Sequence, residues 1–294
     1  MNRIKGILYA AVSSSTFGLA PFFSITLLLV GFSAFEVLSY RWGVAAIVLT
    51  LLGWCSGCSF RLARKDLLVV LGLSLLRAVT SFSLIIAYQN IASGVASTIH
   101  FMYPLVVSLI MMFFFREKKS SLVILAVLMS LFGAALLSSG ELEAKNGDTI
   151  VGLVAACVSV FSYAGYIIGV QHTRVVKINS TVLTCYVMGL GALFYVIGAY
   201  CTSGLRMVTD GYTWLIILGL ALPATAISNF TLVQAIKYTG PTLTSILGAM
   251  EPLTAVMIGV LVFNELFNLN TVAGILLILL SVSIVVMREN RKKA

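Results

Sequence analysis

Ten long apolar runs divide this chain, and they constrain its fold more than any other feature of the sequence. A helix of about 20 apolar residues spans the roughly 30 Å hydrocarbon core of a bilayer. The chain is 60% hydrophobic and only 10% charged, and its mean hydropathy of +1.07 is far above that of soluble domains. Because only short polar segments separate the runs, the sequence predicts an all-α integral membrane protein with a single membrane domain. The ten predicted transmembrane helices cover residues 5–29, 34–55, 67–88, 93–115, 121–139, 150–170, 181–201, 212–236, 240–263 and 269–287.

The distribution of Lys and Arg predicts the orientation of these helices. Short cytoplasmic loops hold the excess of positive charge in membrane proteins. With the N-terminus inside, fifteen of the nineteen basic residues fall on inner segments, and only two fall in outer loops. Both termini are therefore expected to be cytoplasmic. Basic residues along the inner membrane edge also explain the net charge of +9, since they face anionic headgroups. The expected partner is therefore a lipid bilayer, and no nucleic acid is expected to bind.

An internal repeat links the two halves of the sequence. Pro104 and Pro252 lie 148 positions apart within similar apolar runs, and several residues around them match at the same spacing. GILYAAVS at 6–13 corresponds to GLVAACVS at 152–159, at a spacing of 146. The long polar connection 140–149 lies between the halves. The repeating unit is therefore predicted to contain five helices.

An odd number of spans per repeat inverts the second copy relative to the first. We expect residues 1–140 and 150–294 to form two five-helix repeats related by a two-fold axis in the membrane plane. Secondary transporters share this plan, with a substrate site near the bilayer midplane beside interrupted helices and alternating access through rocking. Pro104 and Pro252 are the predicted helix breaks.

Three segments carry a resemblance to a known family: HFMYPLVVSLIMMFFFREK at 100–118, GAMEPLTAVMIGVLVFNE at 248–265 and SYRWGVAAIVL at 39–49. The whole chain resembles an EamA-type member of the drug/metabolite transporter superfamily. The resemblance implies export of amino acids, related metabolites or toxic compounds across a bacterial inner membrane, without a cofactor. It also implies a cavity lined by helices 1, 3, 4, 6, 8 and 9. Second repeats of the family often carry Glu-Pro where first repeats carry Tyr-Pro.

Two charged residues are predicted to lie near the bilayer midplane. Arg77 and Glu251 each lie about eleven residues, or ~16 Å, from the inner end of their helices. A charge at that depth costs at least about 2.5 to 3.5 kcal/mol, so it is usually paired or faces water. One interpretation is a gate or a substrate site, in which Arg77 binds a carboxylate and Glu251 binds an amine or a coupling proton. The other interpretation is a permanent structural salt bridge.

Five further residues are candidates for substrate binding or gating. Arg41 is shallow enough for its side chain to reach the interface, which favours packing or gating over substrate contact. His100 neighbours Tyr103 on one helix face, where a proton relay competes with ordinary packing. Tyr163 is expected in an aromatic wall for a planar or cationic cargo, and Asn229 needs either a cavity or a helix interface to satisfy its amide. The other members of the wall are Phe17 and Tyr166.

The remaining motifs favour no other chemistry. Cys55 and Cys58 form a lone CxxC on the reducing side, so no metal or redox site is expected, and no Walker A, HExxH or GxSxG segment occurs. The leading hypothesis is a secondary transporter of a small-molecule substrate rather than an enzyme. A multidrug exporter is the first alternative, and an intramembrane lipid-modifying enzyme is the next. For a receptor or scaffold, substitution of Arg77 or Glu251 would be harmless beyond stability.

Overall fold

The computed structural model describes residues 2–91, 93–117, 121–137, 147–202, 204–254, 257 and 269–291. Helices account for nearly all of these residues, and the described part of the chain contains no strand. Ends of the predicted spans 121–139 and 240–263, and the outer limits of the two predicted repeats, lie outside this part.

The described residues form five helical units in the first half of the chain and five in the second. In the first half they are α1 (Asn2–Phe17 and Ala20–Leu29), α2 (Ala34–Cys55), α3 (Arg64–Asn90), α4 (Ser93–His100 and Tyr103–Phe113) and α5 (Ser121–Leu137). In the second half they are α6 (Thr149–His172), α7 (Ser180–Thr202), α8 (Gly211–Ala221, a π-segment Leu222–Ile227, and Ser228–Thr239), α9 (Pro241–Leu247 and then 250–254) and α10 (Leu269–Arg291).

Seven of these units are long and apolar enough to cross a membrane: α1 to α4 and α6 to α8. Two shorter apolar helices, Ser121–Leu136 and Val272–Ile284, belong to α5 and α10. Many large apolar side chains point outward, as expected where lipid replaces water as the solvent. They include Leu68, Phe132, Phe161 and Leu215.

Among the described residues, three pairs of helices at matching places in the two halves pack against each other and run antiparallel. In the pair α5 and α10, Ser130 contacts Ser281 across a 2.6 Å hydrogen bond, and Gly133, further along α5, packs on Gly274 and Ile278, which come earlier in α10. The pairs α2 with α7 and α4 with α9 also pack against each other, and the contacts at their ends show the same antiparallel direction. The contact of α3 with α6 has its counterpart in α8 with α1, and that of α4 with α6 in α9 with α1. The packing of these pairs thus follows the repeat.

Two tyrosines give this correspondence at the level of single hydrogen bonds. Tyr40, near the start of α2, donates to the carbonyl of Arg206, just beyond the end of α7. Tyr186, near the start of α7, donates to the carbonyl of Phe60, just beyond α2, at 2.7 Å. Both donors and both acceptors are 146 positions apart in the sequence. The two bonds therefore tie opposite ends of the α2 and α7 pair with the same chemistry.

Each broken helix has a proline just after its interruption. Pro21, Pro104 and Pro223 occupy one of the first two positions of the segment that follows the break in α1, α4 and α8, where the missing N–H costs least. Pro252 follows the turn at 248–249 in α9. At the turns in α1, α4 and α9 the backbone bonds shift from i−4 to i−3 acceptors, as in Met102 N–H to the Ile99 carbonyl, whereas the π-segment of α8 is wider than a regular helix. The breaks bring non-helical backbone to the centre of the bundle.

Candidate functional site

The ring of Tyr163 in α6 lies at the centre of an aromatic cluster. Its centroid is 4.6 Å from that of Tyr103 and 5.3 Å from that of His100, both next to the break in α4. Phe17, at the break in α1, and Tyr166, one turn along α6, each stack at 6.5 Å. The three residues of the predicted aromatic wall, Phe17, Tyr163 and Tyr166, thus lie beside Tyr103 and His100 of α4. Phe17 and Tyr163 occupy matching positions of the repeat.

Arg77 in α3 packs its guanidinium onto this cluster. Its Cζ lies 4.9 Å from the ring centroid of Tyr163 and 5.2 Å from that of Phe17, distances at which a cation is attracted to an aromatic face. Nε donates to Asn229 Oδ1 at 2.9 Å, and Nη1 makes a longer contact with Ser81 Oγ at 3.4 Å. Only 1% of Arg77 is exposed, so a full charge lies in the middle of the protein.

Glu251 is buried near the break in α9, but it does not pair with Arg77. Its backbone packs closely on Gly18, since a Cβ on that glycine would approach the Glu251 carbonyl to 2.7 Å. Within the described residues, no ion pair joins the Glu251 carboxylate to Arg77, whose bonds go to Asn229 and Ser81. The structure brings both charges into the same buried centre, and a closed salt bridge is not present in this conformation.

The π-segment of α8 accepts hydrogen bonds from the side chains of Arg41 and Asn229. Arg41 is only 4% exposed, and its side chain turns inward, away from the interface that the sequence suggested. Its Nε donates to Thr225 Oγ1 at 2.6 Å, with a longer contact from Nη2 to the Ala224 carbonyl at 3.4 Å. Thr225 in turn donates to the Leu220 carbonyl, and Asn229 Nδ2 donates to the Thr225 carbonyl. One irregular turn therefore positions partners for both arginines.

His100 and Tyr166 each present a buried polar atom without a partner among the described residues. Ser159 Oγ donates to the Ala156 carbonyl at 2.6 Å, so the 2.9 Å contact between Ser159 Oγ and His100 Nδ1 assigns the hydrogen to the ring nitrogen. His100 Nε2 and Tyr166 Oη are then left unpartnered. Buried polar atoms usually have a partner, so these two are candidates for contacts with water or a ligand.

A small cavity lies beside the two arginines. Phe17, Ser24, Arg41, Arg77, Ser81 and Tyr88 line it, together with apolar side chains of α1 and α3. Its volume for water centres is about 10 Å³, enough for roughly one water molecule. A metabolite does not fit in this conformation.

Sequence reasoning missed three residues that contact Arg41, Arg77 and His100. Thr225, Ser81 and Ser159 are small hydroxyl residues in apolar helices, a type that is common in membrane spans, and nothing in the sequence distinguishes them. Within the described residues, no group of three or more His, Cys, Asp or Glu side chains is arranged to hold a metal ion. Cys55 and Cys58 are both free thiols.

Comparisons with known proteins agree with this architecture. Residues 4–139 and 150–287 each match the model of the EamA-like transporter family. A solved structure, titled only as the crystal structure of a protein, superposes with a TM-score of 0.81, covering 100% of this chain and 99% of that chain at 16% identity. At that identity the likeness concerns the fold alone. A search of curated proteins gave no match.

Proposed function

Because the chain belongs to the EamA-like transporter family, within the drug/metabolite transporter superfamily, we propose that it is a secondary transporter of a small metabolite. In this proposal it exports amino acids or related compounds by alternating access through a central site. It lies in a bacterial inner membrane with both termini cytoplasmic, as its basic residues suggest.

We further propose ten spans, with the second five inverted relative to the first. The antiparallel packing of α5 on α10 supports this arrangement, as do the matching bonds of Tyr40 and Tyr186 at opposite ends of α2 and α7. In an inverted repeat the two-fold axis passes through the centre, where Phe17 and Tyr163 stack. Rocking of one half against the other then opens the same site to either side.

The buried charged centre is the observation that carries the proposal. Arg77 and Glu251 are 1% and 8% exposed, and each lies beside helix breaks rather than within a continuous apolar interface. Intramembrane charges are costly, and they mark substrate or ion pathways when they face the interior of a bundle. A scaffold protein does not need buried charges in the membrane, whereas a transporter needs them to bind polar cargo. We assign Arg77, Glu251, Tyr103, Tyr163, His100 and Asn229 to the site, with Arg41 beside it.

The narrow cavity is consistent with a closed stage of the cycle. A volume of about 10 Å³ leaves no room for a metabolite, so cargo entry requires movement of the walls. The breaks in α1, α4 and α9 provide the hinges, because their backbone already departs from the regular helix. Glu251 then meets the cargo or a coupling proton only after opening.

An exporter of cationic drugs is the alternative, since the aromatic rings offer it cation–π contacts. In the present conformation Arg77 itself lies over Tyr163 and Phe17. A protein cation thus occupies the faces that a drug cation needs. Metabolites with an acidic group are better matched to this centre.

Counterflow in proteoliposomes tests the proposal, with labelled amino acids and cationic drugs as cargo and with or without a pH gradient. We expect Glu251→Gln and Arg77→Gln each to lower flux at least roughly tenfold, because each removes a buried charge from the cargo path. Arg61→Gln and Asp66→Asn, near the polar end of α3, are the matched controls and should transport normally. Normal flux through both central variants, correctly folded, would contradict the assignment.

A further inference from the structure

The cavity between α1, α2 and α3 is lined by two buried arginines and no acid. The guanidinium carbon of Arg41 lies 5.6 Å from the centroid of Phe17, and that of Arg77 lies 5.2 Å from the same ring. Both side chains also border the cavity itself. Two like charges on one ring repel each other in a poorly screened interior, so the arrangement requires compensation.

Neither arginine obtains this compensation through a direct ion pair among the described residues, although Glu251 lies in the same buried centre. Arg41 bonds to Thr225 and Ala224, and Arg77 bonds to Asn229 and Ser81, so every described acceptor is neutral. A guanidinium has five N–H donors, and these bonds use Nε and one Nη group of each side chain. Nη1 of Arg41 and Nη2 of Arg77 donate to no described residue. Donor capacity thus remains on both sides of the cavity.

Resting on the transport function proposed above, we propose that this cavity is an anion subsite, where the carboxylate of the cargo binds between Arg41 and Arg77. A carboxylate accepts paired N–H donors from guanidinium groups in a fixed planar geometry. Ser24 and Ser81 line the same cavity and add hydroxyl donors. Arg41, whose position in the sequence suggested packing or gating, becomes a cargo-binding residue.

Two sides of the site are held in place before cargo binds, and one wall can move. Arg41 is held by the π-segment of α8 and Arg77 by Asn229, so the donors are fixed before cargo arrives. The remaining wall carries Phe17 and Ser24, on either side of the break in α1. Displacement of this broken helix enlarges the cavity from one water to a carboxylate. The subsite therefore selects cargo with an acidic group and excludes simple amines.

Thermal unfolding of the purified full-length protein in detergent tests the subsite. The probes are sodium acetate, 3-phenylpropanoate, chloride and 2-phenylethylamine, at constant ionic strength with the bulky HEPES anion as background. We expect both carboxylates to raise the unfolding midpoint with dose, and the amine to have no effect. Arg41→Gln and Arg77→Gln should each weaken the carboxylate response roughly tenfold or more.

Control variants keep the outcome interpretable. Arg41→Lys retains the charge but loses the planar fork, so it should weaken the response less than Arg41→Gln, and it is available if the glutamine variant does not fold. Arg61→Gln removes an exposed arginine and should respond like the parent protein. A carboxylate response that is absent from the parent, or unchanged in every Arg41 and Arg77 variant, would overturn the subsite.

Two further outcomes separate the possible failures. A midpoint raised by chloride and by neither carboxylate would assign the cavity to an inorganic anion and contradict cargo binding there. Counterflow on the same preparations is scored independently. A carboxylate response without transport of any compound would contradict the proposed function alone, whereas transport without an anion response would contradict the subsite alone.

Discussion

The equivalent helices α2 and α7 have stayed alike, whereas the equivalent helices α3 and α8 have diverged. Tyr40 and Tyr186 make the same bond at opposite ends of the first pair. In the second pair, Arg77 of α3 corresponds at the 148-residue spacing to Thr225 of α8, and Asn229 of α8 accepts from Arg77. The repeat thus builds the framework where the halves agree, and it places charge at the centre where they differ.

The divergence of α8 has a structural cause. From Gly211 to Thr239 it is 29 residues long, against 27 for α3, and it contains the π-segment Leu222–Ile227. Such wide turns are uncommon and occur often at functional sites. The irregular backbone offers the Ala224 carbonyl and the Thr225 hydroxyl to Arg41. A regular α8 would offer the arginines fewer partners.

The largest effect in this comparison is expected from Asn229→Ala. The substitution leaves Arg77 Nε without its acceptor and should cost about 2 kcal/mol, since bonds to buried charged groups are among the stronger ones. Flux should fall at least roughly tenfold, because Arg77 loses its fixed position. Unfolding midpoints in detergent and counterflow in proteoliposomes measure the two effects.

Ser13→Ala provides the matched control at the neighbouring contact between α1 and α8. Ser13 Oγ donates to the Ser228 carbonyl, one residue before Asn229, without involving any charge. It should cost about 0.6 kcal/mol, a typical value for such bonds in membranes, and leave flux nearly unchanged. Equal losses of flux in the two variants would mean that the α1 and α8 contact, rather than the orientation of Arg77, limits transport.

A second pair of variants compares the broken helix α1 with the continuous helix α2. A Cβ at Gly18 would lie 2.7 Å from the Glu251 carbonyl and 2.8 Å from Thr254 Cβ, so Gly18→Ala should destabilise the protein by about 1 to 3 kcal/mol and slow transport. At Gly43 nothing lies within 4 Å, and Gly43→Ala should be neutral or slightly stabilising. Equal midpoints for both variants would show that α1 and α9 are not in close contact there.

For the similar helices α2 and α7, we expect equal and additive losses of stability when the two tyrosine hydrogen bonds are removed. Tyr40→Phe and Tyr186→Phe each remove one hydroxyl donor to a carbonyl, worth about 0.6 to 1 kcal/mol. Because the two bonds lie at opposite ends of the helix pair, the double variant should lose the sum of the single losses. Unfolding midpoints of the four proteins test this equality. If only one of the two single variants loses stability, the two hydrogen bonds do not contribute equally to the stability of the helix pair.

Much of the framework was predictable because it depends on apolar length alone. The predicted span 34–55 coincides with α2, and 150–170 differs from α6 by two residues or fewer at each end. Helix interruptions near proline follow from the missing N–H, although the turns lie before Pro104 and Pro252 rather than at them. These features are local, so the sequence is sufficient to predict them.

The centre was less predictable because it depends on side-chain directions. Depth along the helices places Arg77 and Glu251 at one level, but it does not reveal that Arg77 turns towards Asn229. The depth of Arg41 favoured the interface, whereas the π-segment draws its side chain inward. The composition of the π-segment, LPATAI at 222–227, does not distinguish it from a regular helix. Such choices depend on partners from distant parts of the chain.

The smallest predicted effect concerns the starts of α3 and α8. Ala63 gives α3 no side-chain cap, whereas Asp210 caps α8 by accepting from the Thr213 N–H at 2.8 Å. The backbone N–H and the hydroxyl of Thr213 hold the pKa of Asp210 below its usual value of 3.8.

A carboxyl with a lowered pKa in the folded state stabilises that state above its ordinary pKa, and the stabilisation is lost as the pH falls through the lowered value. Asp210→Asn keeps a capping oxygen that does not titrate. Unfolding midpoints between roughly pH 3 and pH 7 should therefore show the parent protein losing its advantage over Asp210→Asn only at the acidic end. If the difference in unfolding midpoint between the two proteins does not vary with pH, the charge of Asp210 contributes no stability to the start of α8. The start of α8 would then have no electrostatic advantage over the uncapped start of α3.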